Sequence, residues 1–306
     1  MSLIVVGTVA FDSIKTPAGY ADRVVGGAAT YITLAASHFV KSQEVISVIG
    51  EDFPKDFLNK LGNRGVGTEG LKLVEGGNSF FWKGSYHDDL IGRDTLVTEL
   101  NVLEGWEPKV PEKAQNTEFI MLGNLDPTVQ SSVLDQCSKS KLVVLDTMNF
   151  WMEIALENLK AVISRVNVLM VNDDEARQLS GEDSLTLAAK KIHQMGPETV
   201  VIKKGEHGAL MFEEGKRFFS PAFPLDRVVD PTGAGDTFAG AFTGFLANLN
   251  DTSWESKKKA IVAGAVLASF TCEEFGTKRL EEITPEDWKV RAEELQEMSK
   301  VGSLFS

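Results

Sequence analysis

Short apolar runs recur along the chain, and each stops at a glycine or a polar residue: Leu3–Gly7, Val45–Gly50, Glu118–Gly123, Leu142–Asp146, Val166–Val171 and Val200–Gly205. A strand without polar alternation is buried on both faces, as parallel strands are. Segments with helical apolar spacing lie between the runs. Strand alternating with helix predicts an α/β fold, a mostly parallel sheet between helix layers. The 306 residues suffice for one large α/β domain, taken here as 1–306. In such a sheet the loops after strand C-termini line the ligand crevice.

The texture changes from Leu71 to Trp106. Phe80, Trp82, Ser85 and Tyr86 alternate loosely with polar residues, and Thr95, Val97 and Thr98 do so again. A period of two predicts half-exposed antiparallel strands. We read a small β lid, discontinuous in sequence, from about 11–25 and 71–106. A peripheral sheet extension that does not move accounts for the same pattern.

The chemistry concentrates at Val228–Phe242. The two valines are expected to end a strand, and Pro231, lacking an N–H, stops the pairing. Gly233, Ala234 and Gly235 then open an apolar helix running toward Leu249. A helix start without bulky side chains leaves its first N–H groups free to face an anion. Asp236 sits in that first turn. Beside a phosphate alone its carboxylate would only repel. It fits a site where it takes the proton of a hydroxyl that attacks a phosphoryl group, while the N–H groups stabilise the charge in transfer. An aspartate complementing the helix dipole explains the same residue more simply.

Other polar groups follow strand ends. Asp12, placed in a loop after the first strand, can accept hydrogen bonds from ligand hydroxyls. Gly26 and Gly27 open a helix reaching about Phe39 and allow backbone to approach a ligand. Asn124 follows the strand ending at Gly123, and Asp146 and Asn149 follow the next. Asn172 and Glu175 begin a helix. They serve either as its cap or as oxygen ligands for Mg²⁺, directly or through water. Lys203 ends a strand, where it can meet a phosphate as a point charge. Glu206-His207-Gly208 turns the chain into a hairpin. Small residues from Lys259 to Thr271, Gly264 among them, suit close helix packing.

The string DPTGAGDTFAGAF, Asp230–Phe242, resembles the C-terminal signature of the ribokinase-like (pfkB) carbohydrate kinase family. The resemblance extends from Gly7 to Gly276. It implies a ribokinase-like three-layer α/β/α sandwich with a β lid that closes over a sugar and often forms a dimer contact. It also implies ATP and Mg²⁺ as cofactors, with K⁺ as a further ion. Asp236 becomes the base, and Gly233, Ala234 and Gly235 the anion hole. Asp12, Gly26, Gly27, Tyr31 and Asn124 form the acceptor side; Tyr31 stands where the family often has a sugar-contacting Asn. Asn172, Lys203, Gly205, Thr232 and Gly264 fall on the nucleotide side. Asn172 and Glu175 inherit the magnesium role, and Asp230 and Thr232 offer oxygens to a monovalent cation.

A net charge of −13 argues against nucleic acid or an anionic membrane as partner. Cys137 and Cys272 form no metal spacing or disulfide framework, so a reduced, cytoplasmic setting is expected. The acceptor is a sugar, such as ribose, fructose or a keto-acid sugar, or a nucleoside. Tyr31, Phe80, Phe81, Trp82 and Tyr86 can stack on a base or pack as dimer core. Lys83 and Arg93 are the only basic lid residues nearby, which disfavours a sugar phosphate. A catalytically silent sugar- or nucleotide-binding regulator on the same fold is the reading of another class.

Overall fold

The computed structural model describes residues 2–300. Its strands are β1 (Leu3–Val6), β2 (Ala10–Thr16), β3 (Gly19–Gly26), β4 (Gln43–Gly50), β5 (Val66–Gly67), β6 (Leu71–Val74), β7 (Phe80–Tyr86), β8 (Arg93–Glu99), β9 (Phe119–Leu122), β10 (Leu142–Asp146), β11 (Val168–Asn172), β12 (Thr199–Lys203), β13 (Ala209–Glu213) and β14 (Lys216–Ser220). The main sheet runs β14-β13-β12-β11-β10-β9-β1-β4-β5, with β6 also paired to β4. Its pairings are parallel from β12 across to β5 and β6. The β12–β13 and β13–β14 pairs are antiparallel.

The buried strands divide their side chains between two cores, as a period of two requires. Leu3, Val5, Leu142, Val144, Val168 and Met170 point to one face, packed with Phe242 and Leu267 of the Ala234–Leu249 and Trp254–Thr271 helices. Ile4, Val6, Val143, Leu145, Leu169 and Val171 point to the other, with Val133, Leu159 and Ala188. Helix layers on both faces of a mostly parallel sheet are the expected three-layer architecture. The small-residue helix packs close: a Cβ on Gly240 would meet the Ile32 carbonyl oxygen at 2.4 Å, and one on Gly244 the Ala36 Cα at 2.8 Å. These contacts hold Ala234–Leu249 against the Ala28–Ala36 helix.

A separate four-stranded sheet, β3-β2-β7-β8, forms the lid. Three expectations change here. Leu71–Val74 belongs to the main sheet, and Trp106 is buried in its second core. The lid is therefore narrower than 71–106 on its C-terminal part. Asp12 lies in β2, not in a loop; β2 pairs on both sides, so its first five residues are buried despite their mixed polarity. Val228 and Val229 form no strand. They run through a half-buried loop in which the Val229 N–H donates to the Cys272 carbonyl at 2.8 Å. The edge strand β14 lay outside the sequence reading; its Lys-Arg start is exposed and carries no apolar run.

Candidate active site

The turn before the Ala234–Leu249 helix is built around one buried carboxylate. Asp230 accepts from the Thr232 N–H at 2.9 Å through Oδ1 and from the Gly276 N–H at 3.4 Å through Oδ2. The Ala234 N–H donates to the Pro231 carbonyl at 3.2 Å and closes a four-residue turn. Gly233 takes its third position at φ 77, ψ −1, a geometry that favours glycine. A side chain there would also strike the Tyr31 ring, 2.5 Å from the Cβ position. The Ala234 amide, expected in the anion hole, is thus spent on closing the turn. Among the described residues, the Gly235 and Asp236 amides meet no main-chain carbonyl. They are the donors left to an anion, the Asp236 amide also meeting its own carboxylate and lowering its pKa.

Lys203 reaches this turn from the end of β12. A Cβ on Gly235 would lie 3.1 Å from its Nζ, so the missing side chain keeps the ammonium beside the open amides. Both Asp146 oxygens accept from that Nζ, at 2.8 and 2.7 Å. Burial works against the ammonium's charge, but Asp146 and Glu175 outweigh it and hold Lys203 above its ordinary range.

Three more carboxyls face the same region. Asp236 is half-buried, and no side-chain hydrogen bond to another residue engages its carboxylate among the described residues. Surrounding protein mass raises its pKa to about 7, helped by Asp146 and opposed by Lys203 and Arg93. Asp12 is raised to about 7 chiefly by burial, against the Gly27 N–H. Its carboxylate rests where a Gly26 side chain would be, with Oδ2 1.9 Å from that Cβ position. The charge of Asp236 also acts on Asp12, which brings the two carboxyls within electrostatic reach. Glu175 is raised to about 7 by burial, with Lys203 pulling down.

Asn172 and Glu175 form a reciprocal cap: the Glu175 N–H donates to Asn172 Oδ1 at 2.7 Å, and the Asn172 N–H to Glu175 Oε2 at 2.7 Å. The cap and the ligand reading coexist, because Glu175 keeps Oε1 outside this pair. Among the described residues no group of three or more His, Cys, Asp or Glu stands ready for a metal. A Mg²⁺ bound here would take few protein ligands, as nucleotide-site Mg²⁺ commonly does. Asp230 and Thr232, expected around a monovalent cation, are engaged inside the protein, Thr232 Oγ1 donating to Tyr86 at 3.1 Å.

That Thr232–Tyr86 bond ties the lid to the anion turn. Thr16 of the lid also donates to the Val229 carbonyl at 2.8 Å. Arg93 donates to the Tyr86 hydroxyl at 3.5 Å and lowers Asp12, Asp236 and Glu175 by its charge. The sequence offered Arg93 only as a lid cation; its reach to all three carboxyls needed the lid's position. Asn124 is held by the Trp151 indole N–H at 2.9 Å and donates to Met148 Sδ at 3.0 Å. Trp151 thus fixes the amide so that its weakly engaged NH₂ is what a ligand can take. Gly205 is exposed at φ 52, at the start of a short 3-10 turn. Gly264 is buried inside the helix interface, where a Cβ would meet Phe238 at 2.9 Å; the geometry supports packing there and not nucleotide contact.

A parallel α/β sheet that carries open helix-start amides, an adjacent unengaged carboxylate and a lid defines a phosphotransferase with an alcohol group as acceptor. The chain belongs to the pfkB family of carbohydrate kinases, whose model matches residues 3–283, and it is an ATP-binding kinase. It is 30% identical to the cytidine kinase of Thermococcus kodakarensis over 248 residues, 79% of this chain and 87% of that protein. The nucleoside kinase of Methanocaldococcus jannaschii, a ribokinase-family member, shares the fold with a TM-score of 0.76 at 21% identity, covering 96% of this chain and 99% of that one. A candidate ribokinase II from E. coli, solved with ATP and Mg²⁺, has a TM-score of 0.77 at 15% identity, over 95% and 99%. Among the described residues no helix is long and apolar enough to cross a membrane.

Proposed function

We propose that the chain transfers the γ-phosphoryl group of ATP to the primary hydroxyl of a ribose-type acceptor, a ribonucleoside ahead of a free sugar. The Asp236 carboxylate, free of any side-chain partner among the described residues, beside the Gly235 and Asp236 amides carries the reaction type. Likeness to a cytidine kinase over most of both chains supports the nucleoside.

Asp12 would accept hydrogen bonds from acceptor hydroxyls and so aim the primary hydroxyl at Asp236. Asp236 would take its proton, with a pKa near 7 that suits a base working at neutral pH. The Gly235 and Asp236 amides, Lys203 and Arg93 would meet the phosphoryl charge as it moves. Mg²⁺ bound with ATP would neutralise phosphate charge, with Asn172 and Glu175 holding it through water. The Tyr86–Thr232 bond would keep the lid down and water out. Positioning and charge do most of the work in this reaction class.

One observation favours a free sugar. The lid's aromatic rings are already used: Trp82 Nε1 bonds Thr95 at 3.2 Å, Arg93 lies 5.7 Å from the Trp82 ring, and Phe81 packs on the main core. A panel of cytidine, uridine, adenosine, D-ribose and D-fructose with ATP and Mg²⁺, scored by ADP release and product mass, decides between them. Cytidine is expected to be the best acceptor, gaining one phosphate. ADP release that no acceptor accelerates would contradict the kinase reading.

A further inference from the structure

Strand β3 carries an arginine where its backbone favours glycine. The register between β2 and β3 breaks after Asp12: Asp12 pairs with Val24 and Ile14 with Ala21, so Asp22 and Arg23 together stand opposite Ser13. Such a bulge bends the strand and re-aims the side chains beside it, and Asp12 is the paired residue at its edge. Arg23 takes φ 49, in the left-handed region where a side chain is costly and glycine is at ease. Its N–H donates to Ser13 Oγ at 3.0 Å, a main-chain bond that glycine would make equally well. What arginine adds at this position is its side chain.

That side chain leaves the lid for the main body. Its guanidinium lies 4.3 Å from the centroid of the Phe11 ring, and Nη2 donates to Asp52 Oδ2 at 2.5 Å. Asp52 follows the end of β4 in the main sheet. Its Oδ1 accepts from the Ser79 N–H and from the Ser79 hydroxyl, both at 2.8 Å, one residue before β7 begins. One carboxylate of the main body thus fastens β3 through Arg23 and β7 through Ser79. These are the two strands that flank β2, the strand of Asp12.

We propose that Arg23 is a positioning residue for the acceptor: its arm anchors the bulge beside Asp12 to Asp52 and so fixes where the Asp12 carboxylate stands relative to Asp236. The inference rests on the kinase reading above, in which Asp12 meets acceptor hydroxyls. An ion pair this exposed, 47% on the arginine side, adds little to global stability. Its effect is on geometry, and a reacting group held slightly out of place loses much of its rate.

Arg23→Gly suits the backbone and removes the arm, so it is the variant to compare with the wild type. With whichever of D-ribose or cytidine the wild type phosphorylates, kcat/KM for that acceptor should fall about tenfold or more, as a displacement on the order of 1 Å implies. The ATP KM should stay within about twofold, and the melting temperature close to that of the wild type. Asp52→Asn, whose Oδ1 can still accept from Ser79, should show the same loss. In an Asp12→Asn background Arg23→Gly should add no further loss, because the carboxylate it positions is gone. Turnover of neither D-ribose nor cytidine by the wild type overturns the acceptor reading beneath the inference. Wild-type turnover with an unchanged kcat/KM in Arg23→Gly overturns the role of Arg23 alone. An ATP KM that rises as much as the acceptor's, or a melting temperature lower by several degrees, marks the arm as merely structural and overturns that role too. So does a loss that is absent from Asp52→Asn or that adds in full to the loss of Asp12→Asn.

Discussion

The groups proposed to meet the nucleotide and those proposed to meet the acceptor are built on opposite plans. On the nucleotide side the polar groups are spent on one another: Lys203 on Asp146, Asn172 on Glu175, Asp230 on Thr232 and Gly276. On the acceptor side, Asn124 with its Trp151 and Met148 contacts apart, they are left over. Asp236 has no side-chain partner among the described residues, the Tyr31 hydroxyl has none at all there, and no side-chain hydrogen bond engages Asp12 among them. The difference teaches where preorganisation is needed. A polyphosphate is large and highly charged, and it is met by a rigid scaffold with its charges already fixed. A small polyol must complete the site itself, supplying the donors and acceptors the protein withholds.

The sharpest way to break this comparison is to remove one member of a spent pair. Lys203→Met leaves Asp146 buried without its counterion, and such a break costs about 3–5 kcal/mol. Urea unfolding should show that loss, and Asp146→Leu added to Lys203→Met should recover most of it. A single variant as stable as the wild type would mean the nucleotide side is not committed in this way. Asp12→Asn probes the opposite plan. Folded stability should hold or rise, because burial disfavours the Asp12 charge, while acceptor KM rises about tenfold, the ~1.4 kcal/mol of one hydrogen bond to a charged group. The ATP KM should not follow. Equal increases in both constants would merge the two sides.

A separate expected effect is a dependence of stability on pH. Asp12, Asp236 and Glu175 keep their protons to about 7 in the folded chain, against ordinary values of 3.8 for the aspartates and 4.5 for the glutamate. Between those limits the folded state binds more protons than the unfolded one, so its stability falls as pH rises. Thermal melts of the ligand-free protein from pH 4 to 7 should show a downward slope. Asp12→Asn and Asp236→Asn should each flatten it. A slope that is unchanged in both variants would place the raised carboxyls elsewhere.

Much of the fold was legible because buried parallel strands write themselves as apolar runs, and Leu3–Gly7 or Leu142–Asp146 needed no tertiary information. The glycine turn at the helix start was legible for a related reason: Gly233 is demanded by backbone conformation, and Gly235 by the approach of Lys203. What failed depended on neighbours. Asp12 reads as a loop residue because nothing in Phe11–Thr16 reveals that β3 and β7 cover both its edges. Val228–Val229 looks like a strand by side-chain preference, but the Cys272 carbonyl takes the main-chain donor. Ala234 counts toward the anion hole in the sequence because a turn's internal hydrogen bond leaves no mark in composition. Arg93 and Tyr86 reach the site only through the lid's placement, Tyr86 meeting Thr232 from 146 residues away in sequence.

The central claim is that Asp236 deprotonates an alcohol while its own amide and that of Gly235 hold the phosphoryl group. The most direct measurement is the turnover of Asp236→Asn with cytidine and ATP, alongside ATP affinity by calorimetry. The account predicts a loss of about 10²-fold or more in kcat, the scale of acid–base contributions, with ATP binding retained. Near-normal kcat in that variant would contradict it.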